Sequence, residues 1–181
     1  MNKYNIRKKI IKIRKNNISK DIEINPKKIF QILKKYNFKS KIIGGYYPTN
    51  FEIDDLKILN HLEKENYIIS LPKIRKKNQM DFFEWSNEDP LQINNFGIPE
   101  PVFKTLIYPD FLLVPLVGFD KNLNRLGYGG GFYDRYISKI KKRKKVITVG
   151  LAFSFQKINK IPINQHDQRL DFIVTESEIL E

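Results

Sequence analysis

FLLVPLVGFDKNLNRLGYGGGFYDRYISKIKK, residues 111–142, is the stretch on which the reading of the fold turns. It opens with FLLVPLVGF, a near-continuous apolar run of the kind that forms a strand buried on both faces of a sheet. Pro115 makes the far half of that strand irregular, because proline has no N–H to give to a ladder. A polar turn over residues 120–124 follows, and then four of the chain's nine glycines, Gly127, Gly129, Gly130 and Gly131. Phe132, Tyr136, Ile137 and Ile140 then recur at helical spacing, so the sequence predicts a helix over residues 131–142. Buried strand, glycine loop and helix in succession are the unit of a layered α/β domain.

The flanking sequence repeats the alternation. Asn25-Pro26 is a helix start, with Asn as N-cap and Pro in the first turn, and Ile29, Phe30 and Leu33 supply its apolar face. Residues 41–46 read as a strand. Asp54 and Asp55 open a helix through Leu56, Leu59 and Leu62, the two acids complementing its dipole. Residues 67–71 read as a strand stopped by Pro72, and residues 78–85 as another. The proline-rich stretch 86–109, with Pro90, Pro99 and Pro101, is expected to wrap around the domain rather than build it. Residues 145–153 and 170–175 are the last expected strands. At the start, Ile6, Ile10 and Ile13 form a helical stripe over residues 3–18, and Lys3, Arg7 and Arg14 make a basic ridge beside it. Taken alone, that ridge reads first as a solvated flank with snorkelling stems and only second as a binding face. No repeat and no linker divides the chain, so one domain over residues 1–181 is expected.

Composition excludes several classes. With 41% hydrophobic residues the 181-residue chain has enough apolar material for one core, which rules out global disorder. No run approaches the roughly 20 apolar residues of a membrane span. The absence of cysteine removes disulfides and thiolate metal sites, and His61 and His166 are too few for a zinc centre. The net charge of +13 suggests a polyanionic partner, yet Arg supplies only 7 of the 33 basic side chains. The excess of Ile, Lys and Asn resembles codon drift more than a nucleic-acid interface.

A glycine cluster requires a main chain that something approaches closely or that bends where a Cβ would obstruct it. The usual guest of such a loop at a helix N-terminus is a phosphate, held by peptide N–H groups, and Arg125 stands where it can add a forked contact. A Walker A loop is excluded because Phe132-Tyr133 follows the last glycine, and a dinucleotide fingerprint because its third glycine falls at Phe132. A tight turn without a ligand stays open at this point. Asp134, in the first turn of the helix, and Asp167, in the loop before the last expected strand, each have an ordinary structural reading. Brought together beside the loop, they suit magnesium, which takes one or two carboxylates with water and phosphate oxygens.

The sequence resembles the 5-formyltetrahydrofolate cyclo-ligases (5,10-methenyltetrahydrofolate synthetases). The resemblance is carried by LVPLVGFDKNLNRLGYGGGFYDR at 113–135, Lys3-x3-Arg7, Tyr47-Pro48 with Glu52, Leu71-Pro72, FGIPEP at 96–101, HDQRLD at 166–171 and Thr175-Glu176. It implies a single three-layer α/β/α domain similar to sugar-phosphate isomerase and CoA-transferase folds. It also implies ATP- and Mg2+-dependent cyclisation of 5-formyltetrahydrofolate to 5,10-methenyltetrahydrofolate. A cytoplasmic location is expected from the missing targeting signals, and a monomer with no nucleic-acid or membrane partner is expected besides. Carried onto matching positions, Lys3, Arg7, Arg125, Leu126, Gly127, Tyr128, Gly129, Gly130, Gly131, Phe132 and Tyr133 would bind ATP, with Arg125 and Tyr133 catalytic. Tyr47, Glu52, Trp85, Tyr128, Gly129, Gly130, Gly131 and Phe132 would meet the folate, and Asp134 and Asp167 the metal. Phe132 stands where many relatives have Tyr, and Gly130 where some have Lys. Two other classes stay open on the sequence: a basic RNA-binding module, and a ligase or kinase with another acceptor. A pterin-sized cleft beside the loop distinguishes folate from the latter.

Overall fold

The computed structural model of the chain describes residues 2–17, 22–36, 41–102 and 105–181. In chain order the elements are α1 (Lys3–Asn17), α2 (Pro26–Leu33), β1 (Ile42–Gly44), α3 (Leu56–Lys64), β2 (Ile68–Arg75) and β3 (Gln79–Glu84). There follow β4 (Leu91–Ile93), β5 (Pro99–Pro101), β6 (Leu106–Ile107), β7 (Phe111–Pro115), β8 (Gly118–Phe119) and β9 (Arg125–Leu126). The chain ends with α4 (Phe132–Lys141), β10 (Ile147–Leu151), a 3-10 turn (Ser154–Gln156), β11 (Phe172–Val174) and β12 (Ile179–Leu180).

Eight strands form the main sheet in the order β12-β11-β10-β7-β1-β2-β3-β6, with β11, β10, β7, β1 and β2 parallel and the flanking strands antiparallel. The apolar run places β7 at its centre, where residues 111–114 are fully buried. Alternate residues face opposite layers, as the pleat requires. Phe111 and Leu113 join α2 and α3 through Ile29, Ile32, Leu33, Ile58, Leu59 and Leu62. Leu112 and Val114 join α4 through Tyr136, Ile137 and Ile140. The result is helix, sheet, helix. At the N-terminus of α2, the Asn25 side chain accepts from the Lys27 N–H and Pro26 occupies the first turn, as the sequence predicts.

Several expectations change. Pro72 does not stop β2, which continues to Arg75; β1 ends opposite Ser70, so beyond that point only β3 flanks the strand. The stretch 86–109 does build: β4 and β5 pair as a hairpin, and β6 extends the main sheet. Asp55 stands at the N-cap of α3 but does not cap it with its side chain. It is 0% exposed, accepts from the Tyr46 N–H at 2.9 Å, and burial raises its pKa well above the ordinary value. In α1 the inward stripe is Ile6, Ile10 and Arg14 rather than Ile13, and Ile18 lies outside the described residues. Ile32 and Ile58 join the buried faces of α2 and α3, and Phe30 and Leu56 pack against that core half-buried. Among the described residues no helix is long and apolar enough to cross a membrane.

Connectivity locates the site. From β1 the chain moves one way to β2, and from β7 it moves the other way to β10 and β11. The order therefore reverses between adjacent β1 and β7, and the loops leaving their carboxyl ends diverge to open a crevice. Those loops carry Tyr47 and Glu52 on one side and the glycine cluster on the other. α1 crosses the same end of the sheet, packing Ile6 and Ile10 on Val117, Leu126 and Ile161.

Candidate active site

The crevice opens into a cavity of about 1280 Å³. Lys3 and Arg7 from α1, Tyr47 and Glu52 from the β1–α3 loop, residues 125–133, Asp134 and Asp167 all line it. Of the residues expected at the site, Trp85 alone lies elsewhere. It is 6% exposed within the core layer under α2 and α3, its backbone N–H bonded to the Ile69 carbonyl, and it forms no wall of the cavity. The apolar wall comes instead from residues the sequence did not single out, Phe96 and Ile98 at the β4–β5 hairpin with Ile74 and Met80. FGIPEP carried that signal as a motif, but its pairing with β4 was not readable locally.

Asp120 shapes the approach to the glycine loop. Fully buried, its carboxylate accepts from the N–H groups of Asn122, Asn124 and Ile161, closing the turn that delivers Arg125 on β9. Gly129 (φ +110°) and Gly131 (φ +66°) then take backbone conformations that disfavour a side chain. Gly131 is the N-cap of α4 and has no side chain with which to cap it, so first-turn N–H groups are left for a guest. Arg7 donates from Nε to the Gly127 carbonyl at 2.6 Å and lies against Gly129, which brings the α1 cation onto the loop.

The two aspartates converge. Asp134 Oδ1 accepts from Arg125 Nη2 at 2.7 Å and from the Gln168 N–H at 3.0 Å, next to Asp167 in the chain. Asp167 Oδ2 accepts from Lys3 Nζ at 2.5 Å and from the Asn164 N–H at 2.7 Å. Each carboxylate keeps its other oxygen without a partner among the described residues. That donor set fits a hard divalent cation which completes its shell with water and substrate oxygens. Burial lowers the pKa of Arg125 and Asp134 opposes the change; a guanidinium so placed stays charged. The buried Tyr133 hydroxyl has no partner among the described residues, and burial followed by Asp55 and Glu52 raises its pKa well above the ordinary value. It is a phenol held protonated, able to donate. Burial also raises the pKa of Glu52, against the Thr49 N–H, which donates to it at 2.8 Å, and the Arg14 charge.

Fold and site together define a layered α/β protein whose cleft, at a reversal of strand order, joins a glycine-lined loop bordered by cations to an apolar wall. A model of the 5-formyltetrahydrofolate cyclo-ligase family matches residues 1–176. The 5-formyltetrahydrofolate cyclo-ligase of Haemophilus influenzae is 35% identical over 71% of this chain and 72% of its own length. That of Mycoplasma pneumoniae is 30% identical over 97% and 99%. Among solved structures, the 5,10-methenyltetrahydrofolate synthetase of Aquifex aeolicus superposes with a TM-score of 0.79 at 33% identity, covering 99% of this chain and 92% of that one. The chain belongs to the 5-formyltetrahydrofolate cyclo-ligase family and is an enzyme of folate one-carbon chemistry.

Proposed function

We propose that the enzyme converts 5-formyltetrahydrofolate to 5,10-methenyltetrahydrofolate at the expense of ATP, with magnesium, releasing ADP and phosphate. The observation that carries this reading is the convergence of Lys3, Arg7, Arg125, Asp134 and Asp167 on the glycine loop of one cavity.

The triphosphate lies along the loop and the α4 N-terminus, with Lys3, Arg7 and Arg125 answering its charge. Asp134 and Asp167 hold the magnesium ion, which when bound supplies charge neutralisation at the phosphates. The folate lies toward Tyr47, Glu52 and the hairpin, where Phe96 and Ile98 cover apolar surface and Glu52 accepts from pterin N–H groups. A formyl amide is a poor electrophile, so its oxygen first takes the γ-phosphoryl group: an O–P bond forms as the bond from γ-phosphorus to the bridging oxygen breaks, and ADP departs. N10 then attacks the formyl carbon and loses its proton, and the C–O bond breaks to release phosphate. Arg125 stabilises charge on the phosphoryl group in transfer, and the Tyr133 phenol donates to an oxygen at the same centre. Such a reaction depends on positioning and charge more than on a covalent residue.

One domain and a monomer belong to the same proposal; a single main sheet that draws its strands from residues 42 to 180 supports the first. The test mixes the protein with 5-formyltetrahydrofolate, ATP and magnesium and follows the near-ultraviolet absorbance of the methenyl product. A rise that requires both ATP and magnesium is expected. No rise with all components present sinks the reading.

A further inference from the structure

Arg14 is the anomaly of α1. It follows Ile6 and Ile10 on the inward stripe and is 1% exposed, where the helix pattern calls for an apolar residue. A guanidinium removed from water is costly unless its charge is answered. Among the described residues Arg14 forms no ion pair: Nη2 donates to the Tyr128 hydroxyl at 2.6 Å, Nη1 to the Leu116 carbonyl at 3.4 Å, and Nε has no partner. Cζ lies 5.7 Å from the Tyr128 ring centroid.

Tyr128 passes the charge onward. Its hydroxyl faces the Glu52 carboxylate in the same cavity, and that carboxylate also lies within the field of Arg14. A phenol has one proton to give. With Arg14 on its acceptor side, that proton is directed to Glu52. The ring reaches the surface, yet burial, then Glu52, raises the phenol pKa, so the hydroxyl stays protonated and keeps this direction. The other titratable groups facing Glu52 are Asp55, Tyr46 and Tyr133, none of them a cation.

We propose that Arg14 is a positioning residue for the folate half of the cavity, acting through the Tyr128 hydroxyl to hold the Glu52 carboxylate as an oriented acceptor. The proposal rests on the folate reading of the site given above.

The test compares Arg14→Met and Tyr128→Phe with the wild type in two measurements. The first is the carboxyl carbon-13 titration of Glu52 in the free protein, its resonance assigned by its absence in Glu52→Gln. Both substitutions are expected to move the midpoint upward, Arg14→Met further. The second is steady-state kinetics: the KM for 5-formyltetrahydrofolate is expected to rise roughly fivefold, the worth of one hydrogen bond, while that for ATP changes less than about twofold. Tyr128→Phe keeps the ring at a surface position and decides the matter if Arg14→Met does not fold. A midpoint unmoved in Tyr128→Phe, or an ATP KM that rises as much as the folate KM, overturns the proposal. A wild-type protein that neither binds nor converts 5-formyltetrahydrofolate overturns the reading beneath it. Normal wild-type turnover with Tyr128→Phe unaltered removes only the part given to Arg14.

Discussion

Lys3 Nζ lies 2.5 Å from Asp167 Oδ2, joining the first turn of α1 to the loop before β11 across 164 positions of sequence. Arg125 and Asp134 form a second pair beside it. The charges beside the glycine loop are thus balanced internally, cation against carboxylate. In the proposed complex both pairs exchange partners, the cations turning to phosphate and the carboxylates to magnesium. Lys3→Ala is therefore expected to raise the apparent KM for ATP roughly tenfold or more, the value of a charge-assisted hydrogen bond, and the KM for folate much less. Its effect on stability should stay within about 1 kcal/mol, because both partners are partly solvated. Steady-state kinetics with each substrate varied in turn, and urea unfolding, check the two parts; a larger rise for folate would show that α1 serves the other ligand.

Asp134→Asn retains an acceptor for Arg125 and Gln168 while removing the charge a metal needs. Turnover is expected to fall at ordinary magnesium and to recover in part at high magnesium, measured as a magnesium titration of the rate. Chelation of the metal should stop the wild-type reaction reversibly. Asp134→Ala adds a second loss, since the nearly buried Arg125 guanidinium then loses the carboxylate it is bonded to. A destabilisation of about 2–3 kcal/mol is expected, below the range for a fully buried pair because Asp134 is itself partly exposed.

Asp55 makes stability depend on pH in an unusual direction. Its folded-state pKa is raised well above 3.8 by burial, so the folded protein binds the proton more tightly than the unfolded chain. The stability it contributes is complete below the unfolded pKa and is lost as pH rises toward and through the folded pKa. Asp55→Asn keeps an oxygen for the Tyr46 N–H and cannot ionise. Relative to wild type, this variant should gain stability between about pH 5 and about pH 8, read as the shift in urea midpoint. Asp55→Ala should instead lose about 1–3 kcal/mol at both pH values by stranding that N–H.

The wall of the cleft depends on Glu100. Its carboxylate accepts from the Ile74 N–H and from the side chains of Gln92 and Asn94, and it lies 3.5 Å from Lys73 Nζ, with both side chains almost fully buried. These bonds seat the β4–β5 hairpin on β2. Glu100→Ala is expected to cost about 3–5 kcal/mol, as for a broken buried pair. Phe96→Ala separates the wall from its support. Phe96 is 62% exposed, so thermal stability should hardly change while the folate KM rises several-fold. An unchanged KM would remove the hairpin from the folate site.

The elements that declared themselves in the sequence are those whose cause is local. The apolar run of β7, the Asn25-Pro26 start of α2 and the glycines before α4 carry their signals within a few residues, and all stand where they were expected. Where partners decide, the local signal misled. Pro72 is tolerated because β1 has already ended, and prolines at 99 and 101 lie within β5 because the strand pairs with β4 alone in its small sheet. Trp85 looked like an aromatic wall and is core, since nothing in a single residue states which layer of a sheet it faces.

The sequence by itself determined an α/β chain, a glycine-rich loop leading into a helix N-terminus, and a family resemblance resting on ordered motifs. Those follow from periodicity, glycine content and residue order, which the chain carries along its length. Only the tertiary structure decided that Asp134 binds the segment carrying Asp167, that Lys3 reaches the far end of the chain, and that Arg14 lies inside rather than on a solvated ridge. Each is a contact between segments far apart in sequence, made when the reversal of strand order between β1 and β7 opens a crevice and α1 closes across it.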